Sequence, residues 1–127
     1  MGANYLRLGI LFNNHMRVLV IDDESDICMM ISRIFKSKGI VCDCAHSVAQ
    51  GKAKSRNISY ELFIIDINLP DGTGLDLISN IKEGDAKANI VTISAYDDAE
   101  IINRALALGA RKFVKKPFSK SEILALV

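Results

Sequence analysis

Glu61-Leu62-Phe63-Ile64-Ile65-Asp66 is an unbroken apolar run closed by a carboxylate. A short continuous run of this kind, rich in isoleucine, reads as a strand buried on both faces, which is the situation inside a parallel sheet. Two other stretches share the design: Val18-Leu19-Val20-Ile21 leads into Asp22-Asp23-Glu24, and Phe113-Val114 leads into Lys115-Lys116-Pro117. A further apolar run closes on the hydroxyl of Ser94. The C-terminal ends of parallel strands lie along one edge of the sheet, so these groups can converge in one crevice. Three carboxylates gathered there repel one another, and at neutral pH they stay ionised only with a cation among them. Hard oxygen ligands suit Mg²⁺. A metal-bound carboxylate facing a lysine, with a hydroxyl beside it, is equipment for taking up a phosphoryl group.

Working outward, strands are predicted over Arg17 to Asp22, Val41 to Ala45, Glu61 to Asp66, Asn89 to Ser94 and Lys112 to Lys115. Between the first two, Ile27, Met30, Ile31, Ile34 and Phe35 mark one face of a helix that Gly39 stops. Ser47 caps a second helix through about Arg56, weak because Gly51 lies inside it and its apolar face is only Val48, Ala49 and Ala53. Pro70, Gly72 and Gly74 read as a turn before the helix Leu75 to Lys82, which turns Leu77, Ile78 and Ile81 inward. Asp97-x-x-Glu100 resembles a capping box for a helix ending at Gly109. Ser119-x-x-Glu122 is a cleaner one, opening a last helix cut off at Val127. Strands alternating with helices imply right-handed crossovers and a parallel sheet covered on both sides.

A chain of 127 residues is expected to form one domain with a core that needs no disulfide or structural metal. Half the residues are apolar and the net charge is +1, which excludes a disordered tail and leaves no electrostatic footprint for nucleic acid. The basic group Arg111, Lys112, Lys115 and Lys120 then reads as a solvated face. Cys28, Cys42 and Cys44 lack the spacing of a zinc site and read as small buried hydrophobes of a protein in a reducing cytoplasm. No apolar stretch approaches the roughly 20 residues of a membrane span. Residues 1–15 stand outside the pattern: Leu8-Gly9-Ile10-Leu11-Phe12 is too short for a signal peptide and lacks a cleavage site. The domain is expected to occupy 16–127, with 1–15 a tag, a mis-called start or a native extension.

Asp22-Asp23, then Asp66 followed by Ile67-Asn68-Leu69-Pro70-Asp71-Gly72-Thr73-Gly74, then Thr92-Ile93-Ser94-Ala95, then Lys116-Pro117-Phe118 resemble the receiver domain of response regulators. Four motifs in order, each at the end of its own strand, carry the resemblance from about Met16 to the C-terminus. It implies a single doubly wound, flavodoxin-like (βα)5 α/β domain with strand order 2-1-3-4-5 and a site at the switch point between the first and third strands. It further implies that Asp66 accepts a phosphoryl group from a histidine kinase or phosphotransfer protein. Asp23 would bind Mg²⁺ directly, Asp22 through water, and Asn68 through its backbone carbonyl. Lys116 would pair with the phosphoryl oxygens, aimed by a cis bond to Pro117. Ser94 and the aromatic Phe113 would pass the change on to an effector domain or target protein. Arg111-Lys112 stands where many DNA-binding members carry an acidic pair used in dimerisation, so their particular dimer mode is not carried over here, and a phosphorylation-dependent dimer stands only as what the resemblance implies.

Two other classes are less well served. A phosphohydrolase with an Asp nucleophile would carry a second Asp two residues on, where this chain has Asn68. A flavin-binding module of the same fold would need a phosphate loop after the first strand, and Asp22-Asp23-Glu24 repels phosphate.

Overall fold

The computed structural model describes residues 16–127; the expectation for residues 1–15 lies outside the described residues. The elements run β1 (Arg17–Ile21), α1 (Ser25–Lys36), β2 (Val41–Ala45), α2 (Val48–Asn57), β3 (Leu62–Asp66), β4 (Asn68–Leu69), β5 (Gly72–Thr73), α3 (Gly74–Gly84), β6 (Ile90–Ser94), α4 (Ala99–Leu108), β7 (Lys112–Lys115) and α5 (Lys120–Leu124). The main sheet is five-stranded and all parallel, in the order β2-β1-β3-β6-β7. This is the expected 2-1-3-4-5 arrangement, with the labels displaced by a two-stranded ladder that was expected to be only a turn. In that ladder Asn68 pairs with Thr73 and Leu69 with Gly72.

Side-chain alternation divides the core into two layers. Val18 and Val20 of β1, with Leu62 and Ile64 of β3, pack under α1 and α5 against Ile31, Phe35 and Ile123. Leu19, Ile21, Phe63 and Ile65 face the other way, onto Leu77, Ile78 and Ala105 of α3 and α4. Every residue of β3 is buried, and each such apolar side chain contributes about 1.5–3 kcal/mol. The central strand is therefore a rigid mount for the residue at its end.

Three helix readings are corrected. Met30 is 40% exposed, and Cys28 takes the inward position on α1 beside Ile31, Ile34 and Phe35. On α2 the buried residues are Val48 and Gly51, while Ala49 and Ala53 are exposed. Gly51 lets this weakly apolar helix sit close to the sheet: a Cβ there would lie 2.9 Å from Ile21 Cδ1 and 3.3 Å from Leu77 Cδ1. The N-cap of α4 is Asp98, which accepts from the Glu100 and Ile101 amides. Asp97 instead pairs with Lys115 at 3.1 Å. The capping box at Ser119 and Glu122 forms as expected.

Asp71, in the turn of the small ladder, caps α2 from outside that helix. Its two carboxylate oxygens accept from the Val48 amide at 2.7 Å and the Ala49 amide at 3.0 Å. Those bonds hold its carboxyl below the usual carboxylate range. The loop after Asp66 is thereby tied to α2 by groups that the helix leaves unsatisfied.

Candidate functional site

The parallel register delivers Asp66, Asp22 and Ser94 to one edge, and all three are nearly sealed from solvent at 4%, 0% and 2% exposure. Lys116 follows β7, and its Nζ lies 2.8 Å from Asp22 Oδ2 and 3.2 Å from Asp66 Oδ2. Glu24, read in the sequence only as part of the acidic run after the first strand, is a third carboxylate 3.7 Å from the same ammonium. Lys115, one residue earlier, turns outward to Asp97 as strand alternation requires. The Lys116–Pro117 peptide bond is cis.

Each carboxylate is held by backbone. Asp22 Oδ1 accepts from the Glu24 amide at 2.8 Å, and Asp66 Oδ1 from the Asn68 amide at 3.1 Å. The Asp22 carbonyl meets His46 Nδ1 at 2.9 Å, which fixes the acidic loop to the end of β2. Gly74 permits the return of the chain into α3: a Cβ there would sit 2.2 Å from the Asp66 carbonyl oxygen. No ordinary side chain fits that approach. The sequence reading treated this glycine only as turn chemistry.

One oxygen from each of Asp22, Asp23 and Asp66 can be drawn from a set lying within 4.8 Å of one another. Asp22 Oδ2 is buried, and its one close partner among the described residues is the Lys116 ammonium at 2.8 Å, an ion-pair contact outside hydrogen-bond geometry. A buried anionic oxygen in that condition, beside two more hard oxygen donors, fits a divalent cation such as Mg²⁺. Asn68 is exposed on β4 and follows Asp66 by two residues, so its backbone is at the rim of this group. Ser94 Oγ accepts from the Tyr96 amide at 3.1 Å, which leaves its proton free to donate. Ile67, Asn68, Ser94, Tyr96 and Ile101 share a cavity of about 550 Å³ beside the acidic cluster. Phe113 is half-buried on β7 opposite Thr92, one same-face pair before Ser94 and Lys115.

Burial raises the Asp66 carboxyl to about 6, with Asp22 adding repulsion, against the opposing Asn68 amide and Lys116. Burial pulls Lys116 the other way, but contact with Asp22 and the charge of Asp66 outweigh it and leave the ammonium raised. The sign for stability follows from proton binding. Between its unfolded value near 4 and about 6, Asp66 holds more protons in the folded chain, so stability falls as pH rises through that window. The metal-free protein is thus expected to lose about 2 kcal/mol relative to Asp66→Asn between those limits. Urea titrations across the window check it, and parallel profiles for the two proteins would contradict it.

Residues 18–127 match the response regulator receiver domain model. The chain belongs to that family. The receiver is 34% identical over 111 residues to the chemotaxis protein CheY of Treponema pallidum, covering 85% of this chain and 77% of that protein. It is 30% identical over 108 residues to the acid tolerance regulatory protein ActR of Rhizobium meliloti, covering 85% of this chain and 56% of the longer protein. Among solved structures it superposes on the CheX–CheY–BeF₃–Mg complex from Borrelia burgdorferi with TM-score 0.83 and 28% identity, over 87% of this chain and 85% of that one. The receiver is therefore a CheY-like signalling domain of a two-component response regulator. Among the described residues, no helix is long and apolar enough to cross a membrane.

Two expectations about its surface can be placed. Arg111 donates to Asn89 Oδ1 and, at 2.7 Å, to the Leu126 carbonyl, so its charge is used within the domain. Lys112 and Lys120 are exposed, as expected of a solvated face.

Proposed function

We propose that this receiver, over residues 16–127, is a phosphoacceptor switch in which Asp66 takes a phosphoryl group from the phosphohistidine of a histidine kinase or phosphotransfer protein. The convergence of Asp22, Asp66 and Lys116 at one sheet edge is the observation that carries the reading. The Asp66 oxygen now facing Lys116 attacks phosphorus, the P–N bond to histidine breaks, and the imidazole leaves with the electron pair. Lys116 neutralises oxygens that gain charge during transfer, and the Ser94 hydroxyl donates a hydrogen bond to one of them. Asp22, Asp23, Asp66 and the Asn68 carbonyl would hold Mg²⁺, which supplies charge neutralisation between the carboxylates and the incoming group. The chain catalyses its own modification and hydrolysis, and its output is altered affinity for an effector domain or target protein in the cytoplasm, including a phosphorylation-dependent dimer. Residues 1–15 lie outside this unit.

The output step rests on Ser94 and Phe113 lying on neighbouring strands. When the Ser94 hydroxyl turns toward the phosphoryl group it leaves the Tyr96 amide, the loop before α4 shifts, and Phe113 can fill the space. This is a two-state element biased by one local contact. Beryllofluoride with Mg²⁺ should shift NMR signals of α4 and Phe113 as well as those of the acidic loops. In Ser94→Ala the analogue should still bind while the shifts at α4 and Phe113 are largely lost. Undiminished remote shifts in that variant would break the coupling.

A further inference from the structure

Helix α2 buries only Val48 and Gly51, and of these only Val48 brings a side chain to the core. A helix with so little apolar cover depends on what grips its first turn. Ser47 Oγ accepts from the Gln50 amide at 3.1 Å, while the Val48 and Ala49 amides both go to Asp71. Val48 also packs against the turn that carries Asp71, since a Cβ on Gly72 would lie 3.3 Å from Val48 Cγ2. The same turn of α2 is held from a second direction. The Gln50 side chain accepts from the His46 amide at 2.8 Å, and His46 Nδ1 lies 2.9 Å from the Asp22 carbonyl. Cys42 and Cys44 of β2 pack on the other side of the sheet, half-buried where full burial was expected, and stand apart from these contacts.

Together the contacts close a ring. From Asp22 it runs through His46 and Gln50 into the first turn of α2 and crosses to Asp71. It returns through the Leu69–Gly72 and Asn68–Thr73 pairs to the Asn68 amide, which donates to Asp66 Oδ1. One end of the ring is therefore Asp22, and the other is Asp66 with Asn68. The main sheet does not fix that spacing, because β1 pairs with β3 only as far as Ile21 and Ile65. Asp22 and Asn68 both lie past that ladder. Lys116 bridges the Asp22 and Asp66 carboxylates, but its bridge does not include Asn68.

We propose that Asp71 and Gln50 are positioning residues for the divalent-cation site: through the first turn of α2 they hold the Asn68 backbone in a fixed relation to the Asp22 loop. Granting the cation site proposed above, on which this role rests, the coupling works in both directions. A ring that preorganises the ligands favours the ion, and a seated ion steadies the ring. Helix α2 thereby becomes a second element, besides α4, that reads the state of the site. Both side chains are exposed, so either can be removed without opening the core.

Mg²⁺ alone is the probe, titrated into the full chain and followed by amide NMR signals. In the unmodified chain it should shift Val48 and Ala49 as well as Asn68 to Gly74, and slow hydrogen exchange in the first turn of α2. Asp71→Ala should abolish the shifts at Val48 and Ala49 and weaken Mg²⁺ binding by about ten-fold, the lower end of the loss expected when the partner behind a metal ligand is removed. Gln50→Ala should weaken it too, and because Gln50 carries no charge that loss is not one of attraction for the ion. The double variant should lose less than the product of the two, since the ring opens only once. Ser47→Ala removes a cap of the same helix without cutting either tie, and should lower the melting temperature while leaving Mg²⁺ affinity within about two-fold. Full affinity in Asp71→Ala or Gln50→Ala, losses that multiply completely, or an equal loss in Ser47→Ala would overturn the role. Asp23→Ala separates the two levels. If it binds Mg²⁺ as well as the unmodified chain does, the cation site is misplaced and this role falls with it; if it loses binding while Asp71→Ala keeps it, the site stands and the role alone falls.

Discussion

Lys116→Ala is expected to destabilise the metal-free receiver by about 3–5 kcal/mol at neutral pH, because it leaves buried carboxylates without their cation. Asp22 Oδ2 and Asp66 Oδ2 both face the Lys116 ammonium, and no other basic group contacts them among the described residues. Glu24 adds further negative charge 3.7 Å from the vacated position. Part of the loss should be recovered on acidification, as Asp66, already raised to about 6, takes up a proton. Magnesium should recover more, since a divalent ion can serve both carboxylates and no longer competes with the lysine. The check is a pair of urea titrations per protein, in EDTA and in saturating Mg²⁺. A loss of the same size in both conditions would show that Lys116 acts through packing rather than charge.

Asp23→Ala should remove the magnesium response of the receiver. A ligand that binds only the folded state stabilises it by about 2.7 kcal/mol at one hundred times its dissociation constant. That increment should be seen in the unmodified protein and be absent from the variant. Asp23 is exposed, whereas Asp22 and Asp66 are buried, so the substitution removes one ligand without opening the core. In the absence of metal the variant should be at least as stable as the parent, because one of three clustered negative charges is gone. An undiminished rise in melting temperature with Mg²⁺ would move the ion to another place.

The parallel sheet was legible because β3 is apolar at every position before its terminal Asp66, a pattern that a strand covered on both faces requires. The acidic cluster was legible for a related reason: when strands run parallel, the residues that end them become neighbours. What escaped were features decided by distance rather than periodicity. Gly51 reads as a helix weakness, yet it gives α2 its close seat on Ile21 and Leu77. Gly74 reads as turn chemistry, yet it is required by the approach of α3 to the Asp66 carbonyl. Asp97 and Asp98 are chemically equivalent as caps, and the choice of Asp98 follows from Lys115, eighteen residues from Asp97, engaging the other. The capping of α2 by Asp71 joins groups 23 and 22 residues apart, beyond the reach of any local motif. Cys28, Cys42 and Cys44 share one helix face and one strand face, but that these two faces meet is a property of the crossover from α1 to the edge strand.

The central claim is that Asp66 is the acceptor. Incubation of the receiver with acetyl phosphate and Mg²⁺, followed by intact-mass measurement and hydroxylamine treatment, tests it most directly. One phosphoryl mass that hydroxylamine removes, located on the peptide containing Asp66 and absent from Asp66→Asn, is the result the site predicts. Stable phosphorylation of Asp66→Asn, or a hydroxylamine-resistant phosphoryl group on a serine or threonine, would contradict it.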